Sequence, residues 1–284
     1  MYNLSLENEF GNSIELTHNL NYSIDEIDGL YPPSATINTS EISLYDGARF
    51  TSSKMNTRQL DIRIAIERDA EANRIALYNV IKSKKYIKVS YANGVRDVYI
   101  EGYVSDMNID YFANKQTVTI SILCPQPYFK DAQEIIENVQ SIIDDFIFPF
   151  AITATEKKPI GHYDDNVEIN IQNTGDVEGG MVIEIRAIGQ VVNPTIFNRE
   201  TRESFGLNFT MNSGDVIYIN TNQGNKSAQL LRGGEYINVF NYIKQNSTWL
   251  QLTPGDNVFT YQADDESASY MEVSFSHQHL YEGV

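Results

Sequence analysis

The sequence is short of the features that usually announce chemistry. Its 284 residues hold one cysteine, one tryptophan and four histidines. The lone thiol, Cys124, cannot close an internal disulfide, so stability has to come from packed cores or from association between chains. The folding compartment reads as a reducing cytoplasm. No run is long and apolar enough to span a bilayer. The opening Met1–Glu7 lacks the basic and apolar regions of a signal peptide. Neither membrane insertion nor signal-peptide secretion is therefore expected. Positive charge is scarce: 21 Lys and Arg face 38 Asp and Glu, for a net charge of −17. Such a surface repels phosphates, which argues against nucleic-acid binding. No G-x-S-x-G, P-loop or G-x-G-x-x-G is present, and no glycine-rich turn precedes a helix that would hold phosphate.

What remains as candidate chemistry is thin. His277-Gln278-His279 would set two rings on one face of a strand, but three or four ligands are needed and only Glu282 lies near. The pair reads as exposed rather than metal-binding. Asp144-Asp145 and Asp164-Asp165 are adjacent in sequence, and adjacent side chains do not converge on one point. They read as solvated acids, and Asp264-Asp265-Glu266 reads as a loop without calcium-site spacing. Cys124 reads as buried and inert. No catalytic residue, cofactor or metal ligand is assigned, and the chain is not expected to be an enzyme.

The positive signal is period-two alternation. Leu60, Ile62, Ile64 and Ile66 alternate with Asp61, Arg63, Ala65 and Glu67. The same pattern recurs at Val118–Ile122, Val167–Ile171, Met181–Ile185 and Met271–Phe275. One apolar and one polar face is the signature of antiparallel sheets. Asn93-Gly94, between Tyr86–Tyr91 and Val95–Tyr103, reads as a tight hairpin. Gly179-Gly180, Ser213-Gly214-Asp215, Gly233-Gly234 and Pro254-Gly255-Asp256 are further turns. One helix is expected at about 70–83, capped by Asp69, with Lys82, Lys84 and Lys85 near its negative end. The apolar positions of 131–148 fit a helical stripe, and this stretch is read as connecting structure, in part helical. The expected domains are 1–130, a connecting segment 131–150, and 151–284.

Tyrosine, at 18, outnumbers glycine. Tyr86, Tyr91, Tyr99 and Tyr103 line the Asn93-Gly94 hairpin, which is long enough to project as an interface arm. They serve equally well as strand formers in an internal hairpin. Trp249, beside Leu250 and Leu252, reads as a core or partner-contact residue, with stacking on a sugar as the other use.

Three stretches together resemble the distal tail protein family of siphophages. The first is Ile27-Asp28-Gly29-Leu30-Tyr31-Pro32-Pro33, followed by Asp46-Gly47-Ala48 and the strand around Arg63. The second is Leu123-Cys124-Pro125-Gln126-Pro127-Tyr128-Phe129. The third runs from Ser213-Gly214-Asp215 through Asn238–Trp249 to Leu252-Thr253-Pro254-Gly255-Asp256-Asn257, and Tyr281-Glu282-Gly283-Val284 resembles the family ending. The resemblance implies a mainly β chain. Its N-terminal barrel- or sandwich-like β domain would carry one α-helix and a projecting hairpin, and its C-terminal domain would be a galectin-like sandwich. It also implies a hexameric hub at the virion tail tip, assembled in the host bacterial cytoplasm. Such a hub would join the major tail tube protein to a tail-associated lysin or fibre protein, and to receptor-binding proteins. DNA would pass an acidic bore. The competing readings are a carbohydrate-binding module for the host surface and an equivalent hub in a prophage particle or tail-derived bacteriocin.

Overall fold

The alternating segments do form strands. The structure, a computed structural model, describes residues 2–41, 46–139, 142–144, 161–163 and 168–284. Its elements begin with β1 (Asn3–Asn8), β2 (Ser13–Glu15), β3 (Tyr22–Asp28), β4 (Ala35–Glu41), β5 (Ala48–Met55) and β6 (Arg58–Ile66). Helix α1 (Ala70–Val80) follows, then β7 (Tyr86–Ala92), β8 (Asp97–Ile109), β9 (Thr117–Cys124) and β10 (Phe129–Asp131). Next come β11 (Ile135–Val139), β12 (Ile142–Asp144), β13 (Gly161–Tyr163), β14 (Glu168–Asn173), β15 (Met181–Ala187), β16 (Val191–Asn198) and β17 (Glu203–Gly206). The chain ends with β18 (Thr210–Met211), β19 (Val216–Asn220), β20 (Ser227–Arg232), β21 (Glu235–Asn238), β22 (Gly255–Asp264), β23 (Met271–His277) and β24 (Leu280–Tyr281).

Contacts divide the chain into two units, Met1–Ala132 with Leu280–Val284, and Gln133–His279. The sequence reading put 280–284 with the second domain, whereas these residues group with the first unit.

In the first unit the main sheet runs β2-β1-β7-β8-β9-β6-β3, and β10 pairs with both β8 and β24. Leu60, Ile62 and Ile64 of β6 and Val118, Ile120 and Ile122 of β9 are buried on its inner face. Leu77 and Val80 of α1 join the same core, with Leu4 and Leu6 of β1. Each such side chain stabilises the fold by roughly 1.5–3 kcal/mol. The hairpin β4–β5 belongs to no larger sheet.

The second unit is a sandwich. One sheet runs β11-β23-β15-β19-β20-β21, the other β14-β22-β16-β17 with β18 also on β16. Their inner faces share one core, in which the Phe259 and Phe275 rings, one from each sheet, lie 5.0 Å apart.

Several local expectations need correction. The helix stops at Val80, because Ile81 turns extended (φ −101°), and its last turn carries no basic residue. Lys82, Lys84 and Lys85 lie beyond it, and the Lys84 backbone N–H donates to the Val104 carbonyl instead. Asp69 is left-handed (φ 40°) and its side chain caps nothing. The stretch read as part helical contains strands: Ile135–Val139 pairs with β23 and Ile142–Asp144 with Gly161–Tyr163. Isoleucine-rich positions fit both periods, and β-branching favours the strand. Residues 145–160 lie outside the described residues, as do Asp145, Asp164, Asp165 and Val167. The Asn93-Gly94 turn spans four residues, 93–96, because the Asn93 side chain accepts from the Val95 and Arg96 backbone N–H groups. The two-residue turn is at Gly233-Gly234, where both residues have positive φ (60° and 86°), as such a turn requires.

Candidate assembly surfaces

Four features of the structure bear on function. The first is a buried arginine. Arg58 lies on β6 in the same alternation as Leu60 and Ile62, so its side chain points inward and is 2% exposed. Its Nε donates to the Pro127 carbonyl at 2.6 Å, Nη1 to the Tyr31 carbonyl at 2.7 Å and also to the Gly29 carbonyl, and Nη2 to the Glu282 carbonyl at 2.5 Å. The guanidinium lies 4.5 Å from the Phe129 ring centroid. Burial pulls its pKa down, against opposing attraction from Cys124, Glu282 and Tyr31. One cation thus joins the Gly-Leu-Tyr-Pro-Pro segment, the Pro-Gln-Pro-Tyr-Phe segment and the Tyr-Glu-Gly segment, which are far apart in sequence. Gly29 is required there: at φ +90° an added Cβ would lie 2.2 Å from the Gln59 carbonyl oxygen. Arg96 supports the same tail, donating to the Gly283 carbonyl and lying 4.2 Å from the Tyr281 ring centroid.

The second feature is the hairpin β4–β5. Every residue from Ala35 to Lys54 in its two strands is exposed, Ile37 and Phe50 by 64% and 60%. None of its side chains joins the core of its own unit. Gly47 of the Asp46-Gly47 pair (φ +95°) stands just before β5.

Third, the structure places the tyrosines of β7–β8 on an internal hairpin. β7 is flanked by β1, and β8 by β9 and β10, so this hairpin is part of the sheet and the one that stands apart is β4–β5. Tyr86, Tyr99 and Tyr103 share the outer face with Lys88 and Glu101. Tyr86 Oη donates to Glu101 at 2.7 Å, Lys130 Nζ donates to its other oxygen at 2.7 Å, and Lys88 Nζ lies 4.3 Å from the Tyr99 ring centroid. Burial pushes the Glu101 carboxyl up, but the Lys130 and Tyr86 hydrogen bonds outweigh it and hold the group below its usual value. Burial and the neighbouring Glu101 push the Tyr86 hydroxyl well up. A cavity of about 240 Å³ lies against Tyr86, Tyr103, Tyr128, Pro125 and Gln126. Tyr91 is separate, stacked with Tyr2 at 6.4 Å.

Fourth, Trp249 is half-buried between Phe205 (5.1 Å) and Phe240 (5.9 Å), with the Lys226 ammonium 5.8 Å from its ring centroid. Its faces are therefore largely taken by its own unit.

The remaining sequence candidates settle into structural places. His277 and His279 are not exposed: they are 3% and 7% accessible. His277 continues the inward row of Met271, Val273 and Phe275, and burial pushes its pKa down to about 4. His279 Nδ1 lies 3.1 Å from Asn173 Oδ1. Among the described residues no third His, Cys, Asp or Glu completes a metal cluster. Cys124 is fully buried, and that burial pushes its thiol up to about 12. Asp215 chelates Arg232 (Nε to Oδ1 2.9 Å, Nη2 to Oδ2 2.5 Å), and Arg232 holds its carboxyl below the usual range. Asn257, fully buried, donates to the Thr253 and Gly255 carbonyls at 2.7 and 3.1 Å, which shapes the Pro254-Gly255 turn.

Two family models match this chain. Residues 10–124 match the phage tail protein RIFT-related domain, and residues 174–279 match the C-terminal domain of the siphovirus-type tail component. The chain belongs to the distal tail protein family of siphophages. It is therefore a structural component of a phage tail and not an enzyme. No curated protein sequence matches this distal tail protein. Solved structures share its fold at low identity. The Dit protein (gp 19.1) of phage SPP1, described as a hub of the adsorption apparatus of phages infecting Gram-positive hosts, matches with a TM-score of 0.67 and 12% identity, over 97% of this chain and 98% of that one. A chain of the phage P2 baseplate in its activated conformation with calcium matches with a TM-score of 0.53 and 11% identity, over all of both chains. The strontium form matches at 0.53 and 12%.

Proposed function

We propose that this distal tail protein is the subunit of a ring-shaped hub at the virion tail tip. Copies close head to tail into a hexamer, with the first unit in the ring. One side meets the major tail tube protein, and the other meets a tail-associated lysin or fibre protein. The second unit, read as galectin-like, serves as the platform on which receptor-binding proteins sit. Assembly takes place in the host bacterial cytoplasm.

The observation that carries this reading is the β4–β5 hairpin. A two-stranded hairpin is marginal in water by itself. This one exposes Ile37 and Phe50 and lends nothing to its own core. A neighbouring copy that covers it supplies the missing packing, and a heterologous contact of this kind generates a ring when the rotation closes. The outer-face tyrosines Tyr86, Tyr99 and Tyr103 provide an amphipathic receiving surface, as tyrosine does at many interfaces. Tyr91 and the Asn93-Gly94 turn lie on the same hairpin and are proposed as its rim. The net charge of −17 suits a bore through which DNA slides without adhering.

Negative-stain images of the purified full-length chain, alone and with the tail tube protein, test the reading. Six-fold rings with a central opening are expected. Dispersed single copies in both samples would refute it.

A further inference from the structure

His277 ends the inward row Met271, Val273 and Phe275 of β23 and is 3% exposed. Neither of its ring nitrogens has a hydrogen-bond partner among the described residues. A buried polar group without a partner costs stability, and native folds keep few of them. The neighbouring ring is held differently. Asn173 Nδ2 donates to the Val177 and Leu252 carbonyls at 3.1 and 2.9 Å. Its Oδ1 is therefore the atom that faces His279, which donates from Nδ1 at 3.1 Å. The two rings lie 5.4 Å apart. His279 is thus pinned by a hydrogen bond, and His277 is held by packing alone.

The strand beside His277 is weakly held. β11 pairs with β23 alone among the described residues, and its register sets Ile135 opposite His277 and Glu137 opposite Phe275. A carboxylate therefore stands in the inward row of β11. Ile136, on the other face, is 62% exposed, and neither isoleucine belongs to the sandwich core. On the other side of β23, β15 is flanked by β19 as well and sets Met181 opposite His277. The titratable groups around the ring are Glu134, just before β11, Glu137 on β11, and His279. Met181 from β15 and Asn173 from β14 do not titrate. Burial and the adjoining His279 push the His277 pKa down from 6.5 to about 4, against the pull of Glu134. An uncovered ring thus binds a proton that the packed ring refuses. Packing of His277 is fully favourable above pH 6.5 and loses ground as pH falls toward 4.

We propose that His277 is an acid-sensitive latch for β11. While neutral, its ring packs beside Ile135 and the edge strand stays on β23. Once protonated, the ring needs water, and the separation that breaks least is that of an edge strand without a core side chain. The rest of the sandwich stays folded. β11 opens the second unit directly after the chain leaves the first at Ala132, so its release turns the connection on that side from paired strand into free chain. The latch stands whether or not the copies form a ring.

Hydrogen exchange of the full-length chain at pH 7 and pH 5, corrected for the intrinsic pH dependence of exchange, tests the latch. The opening constant of amides 135–139 should rise about tenfold over this range, while those of the interior strand β19 change far less. His277→Leu keeps an apolar side chain in the row, removes the proton site and should abolish the rise. His18→Gln, at an exposed histidine, should keep it. No rise at 135–139, an equal rise in β19, or a rise that persists in His277→Leu would overturn the proposal. If the leucine variant fails to fold, the histidine ring resonances of the wild-type chain over the same range decide. Proton uptake by His277 together with loss of protection at 135–139 supports the latch, and uptake with those amides still protected contradicts it.

Discussion

The β4–β5 and β7–β8 hairpins lie in the same unit, yet only the second belongs to its sheet. β7–β8 alternates, with Ile87, Val89, Val98 and Ile100 facing the core and Tyr86, Tyr99 and Tyr103 facing out. β4–β5 has no such alternation: its exposure is continuous, and Ile37 and Phe50 are isolated among polar residues. A strand with one apolar face is claimed by its own core, and a strand without one is not, which is why the proposed ring contact is placed on β4–β5. Turn chemistry does not decide between these outcomes. The Asn-Gly signal sits on the internal hairpin, and the arm is the hairpin that tyrosine content would pass over.

The largest expected effect breaks the arm. Ile37→Asp with Phe50→Asp should abolish ring formation while leaving the thermal midpoint of the chain unchanged, as sedimentation and calorimetry on the same sample would show. Next is Arg58, which joins the roots of the arm, because Gly29 and Tyr31 precede β4 and Arg58 follows β5. Arg58→Met leaves several buried carbonyls unsatisfied, each worth about 1–3 kcal/mol. A loss of about 3–5 kcal/mol in urea unfolding is expected, and a neutral result would refute the clamp. Ile100→Ala on the internal hairpin should cost about 2–5 kcal/mol, whereas Ile37→Ala on the arm should stay within about 0.5 kcal/mol. Equal costs would erase the distinction between the two hairpins.

A smaller effect concerns pH. The folded pKa of Glu101 is depressed, so its contribution is complete above the unfolded carboxylate value of about 4.3 and is lost as pH falls through the lower folded value. Glu101→Gln should lower the urea midpoint at pH 7, and the gap to wild type should close toward pH 3. A gap that widens in acid would reverse the sign of the argument. The last is Asn93→Ala. It removes two side-chain acceptor bonds from the 93–96 turn and should cost about 1 kcal/mol in stability, and as a change at the proposed rim it should weaken assembly only slightly.

Much of this was legible in the residues. The alternations at 60–66, 118–122, 181–185 and 271–275 became strands, and the mainly β class followed from them. Parity carries more than the strand assignments. Arg58 shares its face with Leu60 and Ile62, and His277 shares its face with Phe275, so both burials were readable by counting in twos. The convergence of three separate segments on Arg58 was not readable, because it depends on contacts between residues up to 224 positions apart. The strand at 135–139 was hidden for another reason: its isoleucines satisfy helical and extended spacing alike, and only pairing with β23 decides between them.

The central claim is that the β4–β5 arm closes a ring. The measurement that tests it most directly is mass by light scattering coupled to size exclusion, on the wild-type chain and on Ile37→Asp with Phe50→Asp, each with the tail tube protein present. The account predicts a wild-type species of about six chains of 32.2 kDa each, and single folded chains for the variant. A wild-type chain that stays single, or a variant that still assembles, would contradict it.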